Sequence, residues 1–361
     1  FRGHIDEFGD LRPPVRKAIR KALKLLNRET LLAVAAGQQA LAESAIEGTV
    51  DSERIGVIFG AGNVCLRPED FVASVQACRG EAGQFDFDLW GEQGLPEIEP
   101  LWLLKCLPNM PACYLAMFND LRGPNNSVTE GPASANLAVN EAFHGIRDGA
   151  ADAILVGATG SLIEPLNMIH QWPDDGQRQD RNGCGTDNLG DRPIFGEGAA
   201  AFVLEERDRA HQRGARTYGE VLGVVSSCET IRSDRTQQRH LLVETIGRCL
   251  GRANLEASEI DQIRIQSDRP EQCIDEANDI MADIVGPSRQ QPSIQSLDQR
   301  VGITGAGNGA TELAAGLLNA RRTCARVGGR VLLNVSLSAD GQASCLAVRL
   351  DPCAAMSPIH L

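Results

Sequence analysis

Hydrophobic and polar positions follow two different periods in successive parts of the chain. Residues 30–45 (TLLAVAAGQQALAESA) have the apolar spacing of a helix, and the run 55–59 (IGVIF) has the composition of a buried strand. The same order returns where an apolar face over 139–146 predicts a helix and 153–157 (AILVG) predicts a strand. This alternation predicts mostly parallel strands with helices on both faces, which is the α/β class.

The chain also repeats itself over a long distance. Residues 301–335 pass from a glycine-rich turn through a helix into a strand, which is the order already found in 131–157. Two similar units so far apart predict a duplicated fold of two pseudo-symmetric halves. We place the halves at 1–212 and 213–361, and we expect the polar, glycine-rich stretch at about 172–192 to be a surface excursion of the first half.

Composition and charge exclude several classes of function. The net charge of −13 argues against a nucleic acid or an anionic membrane as partner. No apolar run is long enough to span a bilayer, and no leader peptide is recognisable. The eleven cysteines lack the spacing of a metal site and predict a reducing, cytoplasmic location. This spacing leads us to expect no metal. We also expect no cofactor, because the glycines of 302–309 fit tight helix packing better than a nucleotide site.

One short stretch raises the question of catalysis. Residues 125–143 (NNSVTEGPASANLAVNEAF) predict a strand, a sharp turn and a helix of small residues, an arrangement in which many enzymes mount a nucleophile. The tip of this turn holds Pro132. Proline has no nucleophilic atom and no backbone N–H, but it is well tolerated in the first turn of a helix. The turn is therefore expected to survive as architecture.

Two other residues leave alternatives open. Cys184, in the polar stretch NGCGTDN, is either a displaced nucleophile or a solvent-facing thiol, and no basic residue nearby would lower its pKa. Glu130, two residues before the proline, is either a general base or a capping or solvated carboxylate near a helix N-terminus.

Two segments carry a resemblance to a known family. Residues 108–161, which begin PNMPACYLAMFNDLRGPNNSVTEGP, and residues 196–223 (GEGAAAFVLEERDRAHQRGARTYGEVLG) resemble β-ketoacyl synthases, the condensing enzymes of fatty-acid and polyketide assembly. With the C-terminal unit the resemblance extends over about 4–350, and it lacks the family's opening strand. It implies the thiolase fold, with five layers built from two related halves, in agreement with the repeat.

The departures from the family concern its catalytic residues. The resemblance implies that Pro132 stands where the family has its nucleophilic cysteine, and that Ser267 or a neighbour replaces the first active histidine. It further implies that Ile303 replaces the second histidine, Asp298 the lysine, and Ala339 the phenylalanine of the gating loop. No residue suited to condensation remains at these positions. The resemblance therefore implies a chain that is not catalytic alone.

A degenerate member of this kind resembles a chain-length factor, the sister subunit of an active ketosynthase. The resemblance implies a heterodimer formed through the strand that runs into the turn and through the helical segment before it. Trp102 then closes the end of the partner's acyl tunnel, or else it is an interface or core aromatic residue. The expected tunnel and interface residues are Trp102, Asn109, Met110, Ser127, Val128, Thr129 and Glu130.

The expected partners follow from the same resemblance. An active ketosynthase would supply the condensing residues, and an acidic acyl carrier protein would dock on that more basic subunit rather than on this chain. Two alternatives stay open beside this function. One is an acyl-thioester decarboxylase or hydrolase with rearranged chemistry, and the other is a homodimeric acyl-binding scaffold.

Overall fold

The computed structural model describes residues 1–62, 67–80, 83–171, 194–229, 235–267, 279–280, 284, 292–322, 330–338 and 341–351. These residues form two β-sheets with helices between and outside them. The first sheet contains β1 (Ile55–Gly60), β2 (Asn125–Val128), β3 (Ala153–Ser161) and β4 (Glu197–Glu205). The second sheet contains β5 (Gly219–Cys228), β6 (Ile260–Ser267), β7 (Ser293–Gln295), β8 (Arg330–Leu337) and β9 (Gln342–Leu350).

The helices alternate with the strands in both halves of the chain. In the first half they are α1 (Pro13–Ala22), α2 (Arg28–Ser44), α3 (Val72–Ala77), α4 (Met110–Asn119), α5 (Ser134–Arg147), α6 (Pro165–Gln171) and α7 (Arg207–Gln212). In the second half they are α8 (Arg235–Ala253), α9 (Asp298–Val301) and α10 (Asn308–Arg322). Short 3₁₀ turns at Leu23–Leu25, Trp102–Lys105, Gly131–Ala133 and Gly305–Gly307 matter below.

The two sheets have the same core topology. The first has the order β2-β1-β3-β4, and the second has the order β7-β6-β8-β9-β5. In each, a central strand pairs in parallel with both neighbours, and the strand beyond is antiparallel. Strands β1 to β4 thus match β6 to β9 one to one. The duplication predicted from the repeat of 131–157 in 301–335 is confirmed.

Five layers follow from the way the helices pack. Helices α2 and α4 cover the outer face of the first sheet, and α8 covers the outer face of the second. Helices α5 and α10 pack against each other and against strands of both sheets, so they form the middle layer. The chain between the sheets passes through α7, which ends at the proposed boundary of 212. The division into folding units at this point stays a prediction.

Burial explains why the central strands appear in the sequence as continuous apolar runs. All six residues of β1 and all nine of β3 are buried. Side chains alternate between the faces of a strand, so Val57 and Phe59 pack in the outer cluster with Leu115, whereas Ile58 packs in the middle layer with Val139. Central parallel strands covered on both faces need apolar residues at every position, which is the pattern seen in the sequence.

Some expectations are not addressed by the described residues. The excursion at about 172–192, including Cys184, lies outside them, and so does Ala339. In the part of the chain that the structure describes, no helix is both long enough and apolar enough to cross a bilayer.

Candidate functional site

The turn at Pro132 lies between β2 and α5. Strand β2 ends at Val128, Gly131 has a positive φ of 49°, and a 3₁₀ turn over Gly131–Ala133 leads directly into α5. Pro132 is buried in the first turn of the resulting helix, where its missing N–H is not needed. The backbone N–H of Glu130 donates to Ser134 Oγ at 2.8 Å, which closes the turn across the proline. We call Glu130–Ser134 the elbow.

Gln266, rather than Ser267, brings its side chain to the elbow. A Cβ added to Gly309 at the start of α10 would lie 2.8 Å from Ala135 Cβ, 2.9 Å from Gln266 Nε2 and 3.4 Å from Pro132 O. These groups therefore meet where α5 and α10 begin. Gln266 is fully buried, and neither atom of its amide group has a hydrogen-bond partner among the described residues. A buried amide in this state is costly and marks an unusual position.

Ser267 contributes through its backbone instead. Its N–H donates to Asp298, which is buried at the start of α9. Asp298 Oδ1 also accepts from Asn308 Nδ2 at 2.9 Å, while Oδ2 has no partner in the described chain. Burial raises the pKa of Asp298 to about 6, although hydrogen bonds from Ser296 and Ser267 oppose the shift. The expected lysine position therefore carries a carboxyl group that is partly protonated near neutral pH.

A buried ion pair lies beside this carboxyl group. Arg264 Nη2 and Nε donate to Glu312 Oε2 at 2.7 and 2.8 Å, and both side chains are almost fully buried. Arg264 Nη1 also donates to Gln295 Oε1 at 2.5 Å. Burial raises the pKa of Glu312 to about 7, against the lowering effect of Arg264, and the charge of Asp298 adds to the rise. The sequence analysis missed this pair, which links β6 to α10.

The expected position of the second histidine is apolar. Ile303 is buried and forms an isolated bridge with Phe195, in which Ile303 N donates to Ile194 O at 2.8 Å and Gly196 N donates to Ile303 O at 2.9 Å. Its backbone is fixed between the two halves of the chain, and its side chain cannot accept or donate a proton. Ile303 therefore serves packing.

A pocket of about 310 Å³ opens beside the elbow. Glu130 stands on its rim with an exposed side chain, and Glu130 Oε2 accepts from Gln342 Nε2 at 2.9 Å. The carboxylate therefore binds a side-chain amide on β9 and does not cap α5. Cys228, an exposed free thiol at the end of β5, lies on the same wall. The lining is completed by Ala133, Leu137, Ser226, Ser227 and Ala343.

The expected interface residues surround an edge strand. Strand β2 pairs only with β1 in the described chain, and it ends at Val128, so Thr129 and Glu130 lie exposed beyond it. Ser127 Oγ is buried and lacks a hydrogen-bond partner within the described residues. One edge of the first sheet, next to the elbow, is thus open.

The segment before β2 is unusually apolar on its surface. Trp102 is half-buried and packs edge-to-face on Phe71, with 6.0 Å between ring centroids. Asn109 is exposed at the start of α4, and Met110 is buried. We call the exposed apolar residues of this segment the 72–107 patch; they are Val72, Val75, Phe85, Phe87, Leu95, Leu101, Leu103 and Leu107.

The arrangement limits the chemistry that the elbow can perform. Of the described residues, those that meet at the elbow offer the pyrrolidine ring of Pro132 and the amide of Gln266, but no thiol and no imidazole. Condensation through a covalent acyl intermediate needs a nucleophile next to a base. Moreover, no group of three or more potential metal ligands occurs in the described chain.

Comparison with known proteins finds a family match over more than half of the chain. Residues 2–210 match the family model "Beta-ketoacyl synthase, N-terminal domain". The oxytetracycline polyketide putative β-ketoacyl synthase 1 of Streptomyces rimosus is 26% identical over 337 residues, covering 88% of this chain and 74% of the relative. The chloroplastic 3-oxoacyl-[acyl-carrier-protein] synthase I of Arabidopsis thaliana is 29% identical over 243 residues, covering 64% of this chain and about half (48%) of the relative.

Solved structures support the same fold. The ishigamide ketosynthase/chain length factor superposes with a TM-score of 0.67 at 23% identity, covering 91% of this chain and 82% of that chain. A type II polyketide synthase acyl-carrier protein in complex with its ketosynthase bound to the hexaketide gives a TM-score of 0.68 at 18% identity, covering 90% and 85%. The expected thiolase-like fold is confirmed.

Proposed function

The chain belongs to the β-ketoacyl synthase family, and from that premise we propose that it is the non-catalytic subunit of a ketosynthase pair, a chain-length factor. The observation that carries this proposal is Pro132 at the elbow. A proline at that position can neither bind an acyl group as a thioester nor donate a backbone N–H to an oxyanion.

The neighbouring positions support the loss of catalysis. Gln266 meets the elbow with an amide, which is a poor base, and Ile303 has no proton to exchange. Asp298 accepts hydrogen bonds from Asn308 and Ser267, so it is held by the fold rather than aimed at a substrate. The active partner would supply the nucleophile, the base and the oxyanion donors.

The open edge of β2 and the 72–107 patch support a role in pairing. Monomeric proteins rarely leave so many large apolar side chains exposed in one segment, and an unpaired strand edge is a ready partner for another strand. We propose that both are covered by the active ketosynthase. Trp102 would then lie at the end of the partner's acyl tunnel and limit chain length.

The similar proteins agree with this function at a coarser level. The curated relatives described above include polyketide and fatty-acid synthases, and one solved neighbour is a ketosynthase/chain length factor. Growing chains would reach the pair on an acyl carrier protein, the partner seen with the ketosynthase of another neighbour.

Co-expression with candidate ketosynthases tests the proposal. We expect the two chains to co-purify as a heterodimer on sizing, and intact-mass measurement after acyl loading should find the acyl group on the partner alone. A thioester on this chain within the active pair would contradict the proposal.

The role of Trp102 has its own test in the active pair. Trp102→Ala should lengthen the product, because removal of the indole would open the end of the tunnel. Trp90→Ala is the matched control, since Trp90 lies in the same segment but packs on Phe85. Unchanged product length with Trp102→Ala would reject the tunnel-end role and leave an ordinary packing residue.

The pocket beside the elbow favours a second candidate, an acyl-thioester enzyme with rearranged chemistry. Glu130 and the exposed thiol of Cys228 share its lining, so it offers a base and a nucleophile that the elbow lacks. This candidate requires thioester turnover by the isolated chain that is lost in Cys228→Ser and in Glu130→Gln. Absence of turnover by the isolated chain would remove it.

A further inference from the structure

Lys105 is the only lysine of the chain whose side chain is largely buried. The other three lysines are exposed on α1 and in the turn that follows it. The side chain of Lys105 is 16% exposed, and its Nζ lies 3.1 Å from Asp70 Oδ1 and 2.9 Å from Glu99 Oε2. A charge buried to this degree costs solvation free energy unless it is paired. Neither the elbow nor the pocket beside it uses this charge.

The charge of Lys105 joins two segments that are far apart in the sequence. Asp70 ends the 3₁₀ turn Pro68–Asp70, and Lys105 ends the 3₁₀ turn Trp102–Lys105. Each turn is closed by hydrogen bonds within its own segment, and among the described residues no backbone hydrogen bond joins one turn to the other. Side chains therefore make the connection between the two turns.

The same two turns bring an aromatic ring against Trp102. Phe71 directly follows Asp70, and its ring packs edge-to-face on the indole of Trp102. Since Trp102 begins the turn that Lys105 ends, the ion pair and the ring contact link the same two segments. Neither turn belongs to a strand or a long helix. The depth of the indole thus depends on how the two turns are held together.

The backbone of Lys105 is anchored to the body of the first half. Asn27 Nδ2 donates to Lys105 O at 2.5 Å, and Asn27 Oδ1 accepts from Thr30 N at 2.7 Å as the N-cap of α2. Helix α2 packs on the first sheet, so the hydrogen bond from Asn27 fixes the position of Lys105. The side chain of Lys105 therefore holds Asp70, and with it Phe71, in a fixed place relative to α2.

Burial decides which ion pair of Lys105 matters more. The side chain of Asp70 is 15% exposed, whereas that of Glu99 is 49% exposed. An exposed ion pair contributes little in water, but the loss of one partner from a buried pair leaves a poorly solvated charge. Arg67 Nε also lies 3.7 Å from Asp70 Oδ2, yet that side chain is 58% exposed and comes just before the turn of Asp70 itself. Of these two cations, only Lys105 connects Asp70 with the turn of Trp102.

We propose that Lys105 is a positioning residue for chain length. Its ammonium group binds Asp70 and so holds Phe71 against Trp102, which keeps the indole at one depth across the end of the partner's acyl tunnel. The proposal rests on the proposed function, and in particular on the tunnel-end role of Trp102. Lys105 acts through Trp102 and takes no part in chemistry.

Product length in the active pair tests this positioning role. Lys105→Met keeps a long side chain but removes its charge, so Asp70 loses its buried partner and the two turns can separate. The share of products longer than those of wild type should rise about fivefold or more. Lys105→Arg should keep this share within about twofold of wild type, since a guanidinium still binds a carboxylate.

Arg67→Met is the matched control for Lys105→Met. It also removes a cation from Asp70, but it leaves the link to the turn of Trp102 in place. We expect the share of longer products to stay within about twofold of wild type, because the lost ion pair is exposed. Equal lengthening by Arg67→Met and Lys105→Met would overturn the positioning role.

Tryptophan fluorescence of the isolated chain tests the same role without a ketosynthase. The chain has three tryptophans, so Trp90→Phe combined with Trp172→Phe leaves Trp102 as the only indole. In this background Lys105→Met should shift the emission to longer wavelength and increase quenching by acrylamide, because a released indole meets more water. Lys105→Arg and Arg67→Met should leave both signals unchanged.

Asp70→Asn removes the buried ion pair from its other side. It should lengthen the products as much as Lys105→Met does, and the double variant should add nothing further, because both substitutions break one interaction. Sizing and thermal melting show which of the two variants folds and pairs with the ketosynthase. Asp70→Asn keeps the test decisive where Lys105→Met fails to pair.

The outcomes separate this proposal from the proposed function. Wild-type product length and wild-type fluorescence in Lys105→Met would overturn the positioning role. A longer product with Trp102→Ala but not with Lys105→Met would also overturn it, and would leave the proposed function intact. Unchanged product length with both variants would instead reject the tunnel-end role on which the positioning role rests.

Discussion

The two sheets share one strand order but differ at an edge. Strand β9 pairs with β8 on one side and β5 on the other, and most of its residues are buried. Strand β4 has the same place in the first sheet, yet in the described chain it pairs only with β3, and all nine of its residues are half-exposed. The second half therefore completes its sheet with its own strand, while the first half presents an open edge.

The open edge at β4 has a composition suited to pairing with another strand. Residues 198–204 of β4 carry no charge, and Ala199, Ala200 and Ala201 present little side-chain bulk. Natural proteins usually protect such edges with charges, prolines or bulges. The resemblance to ketosynthases expects one further strand in this half, the opening strand of the family. By analogy with β5 beside β9, we expect such a strand to pair with β4.

Aspartate at matched positions of β9 and β4 should lower the unfolding free energy to very different extents. Ala347 on β9 and Ala201 on β4 face the outer side of their sheets, but only Ala347 is fully buried. Ala347→Asp should cost about 4 kcal/mol or more of unfolding free energy, because it buries a charge without a partner. Ala201→Asp should cost roughly 1–2 kcal/mol, since water reaches a half-exposed site.

Chemical denaturation of both variants measures the difference. Ala347→Ser and Ala201→Ser serve as controls of similar size without a charge. An equal loss from the two aspartates would mean that β4 is as well covered as β9, and the contrast between the sheet edges would be wrong.

The two halves differ again where their middle helices begin. The start of α5 is reached through a turn of a few residues after β2, and the one carboxylate of this turn, Glu130, is exposed. The start of α10 is reached through a longer segment, Ser296–Gly307, that brings Asp298 into the interior near Glu312. Glu312 there pairs with the guanidinium of Arg264, and the charge of Asp298 helps to raise the pKa of Glu312. The second half therefore carries two buried carboxyl groups where its middle helix begins, and the described first half has none at the start of α5.

Asp298→Asn tests this second difference between the halves through the pH dependence of folding stability. The folded pKa of about 6 lies above the ordinary value of 3.8, so the folded state binds the proton more tightly. The resulting stability is fully present below about pH 4 and is lost as the pH rises through 6. The variant should therefore gain roughly 1–3 kcal/mol relative to wild type between pH 4 and pH 8.

Melting curves across this pH range provide the measurement. Asp208→Asn, on the exposed surface of α7, is the control and should leave the pH dependence of wild type unchanged. Wild-type and Asp298→Asn curves that stay parallel from pH 4 to pH 8 would show that the carboxyl group does not titrate in this range. Glu312, whose pKa is raised to about 7, should retain part of the effect in either protein.

The sequence predicted the elements more completely than the site. Apolar period and turn residues were sufficient for β1, α5, β3 and the return of the same order in α10 and β8, because central strands and middle helices are buried along their length. The Arg264–Glu312 pair was missed, since its members lie 48 residues apart and each resembles a surface residue alone. The signal was present in Ile263-Arg264-Ile265, where a charge interrupts a buried strand.

The residue beside the elbow shows a second limit of prediction from sequence, which concerns the exact register of a strand. Successive side chains of a strand point to opposite faces, so a shift of one residue exchanges Gln266 and Ser267 completely. Sequence spacing allowed either residue, and only the contact of Gln266 with Gly309 at the elbow distinguishes them. Positions near the end of a strand, where the apolar pattern stops, cannot be assigned more closely by pattern.

The smallest change in stability is expected at the elbow, where the first half keeps the turn but lacks the catalytic residues of the family. Pro132→Cys should change the unfolding free energy by about 1 kcal/mol or less, because the first turn of a helix accepts either residue. It should also fail to load an acyl group from a pantetheine thioester, since neither Gln266 nor Ile303 is a base and Glu130 is held by a hydrogen bond from Gln342. Intact-mass measurement in a Cys228→Ser background detects loading at position 132, with Pro132→Ala in the same background as the control. Rapid acylation of the cysteine variant would mean that the proline alone blocks an otherwise competent site, and the elbow of the first half would then be one substitution away from catalysis.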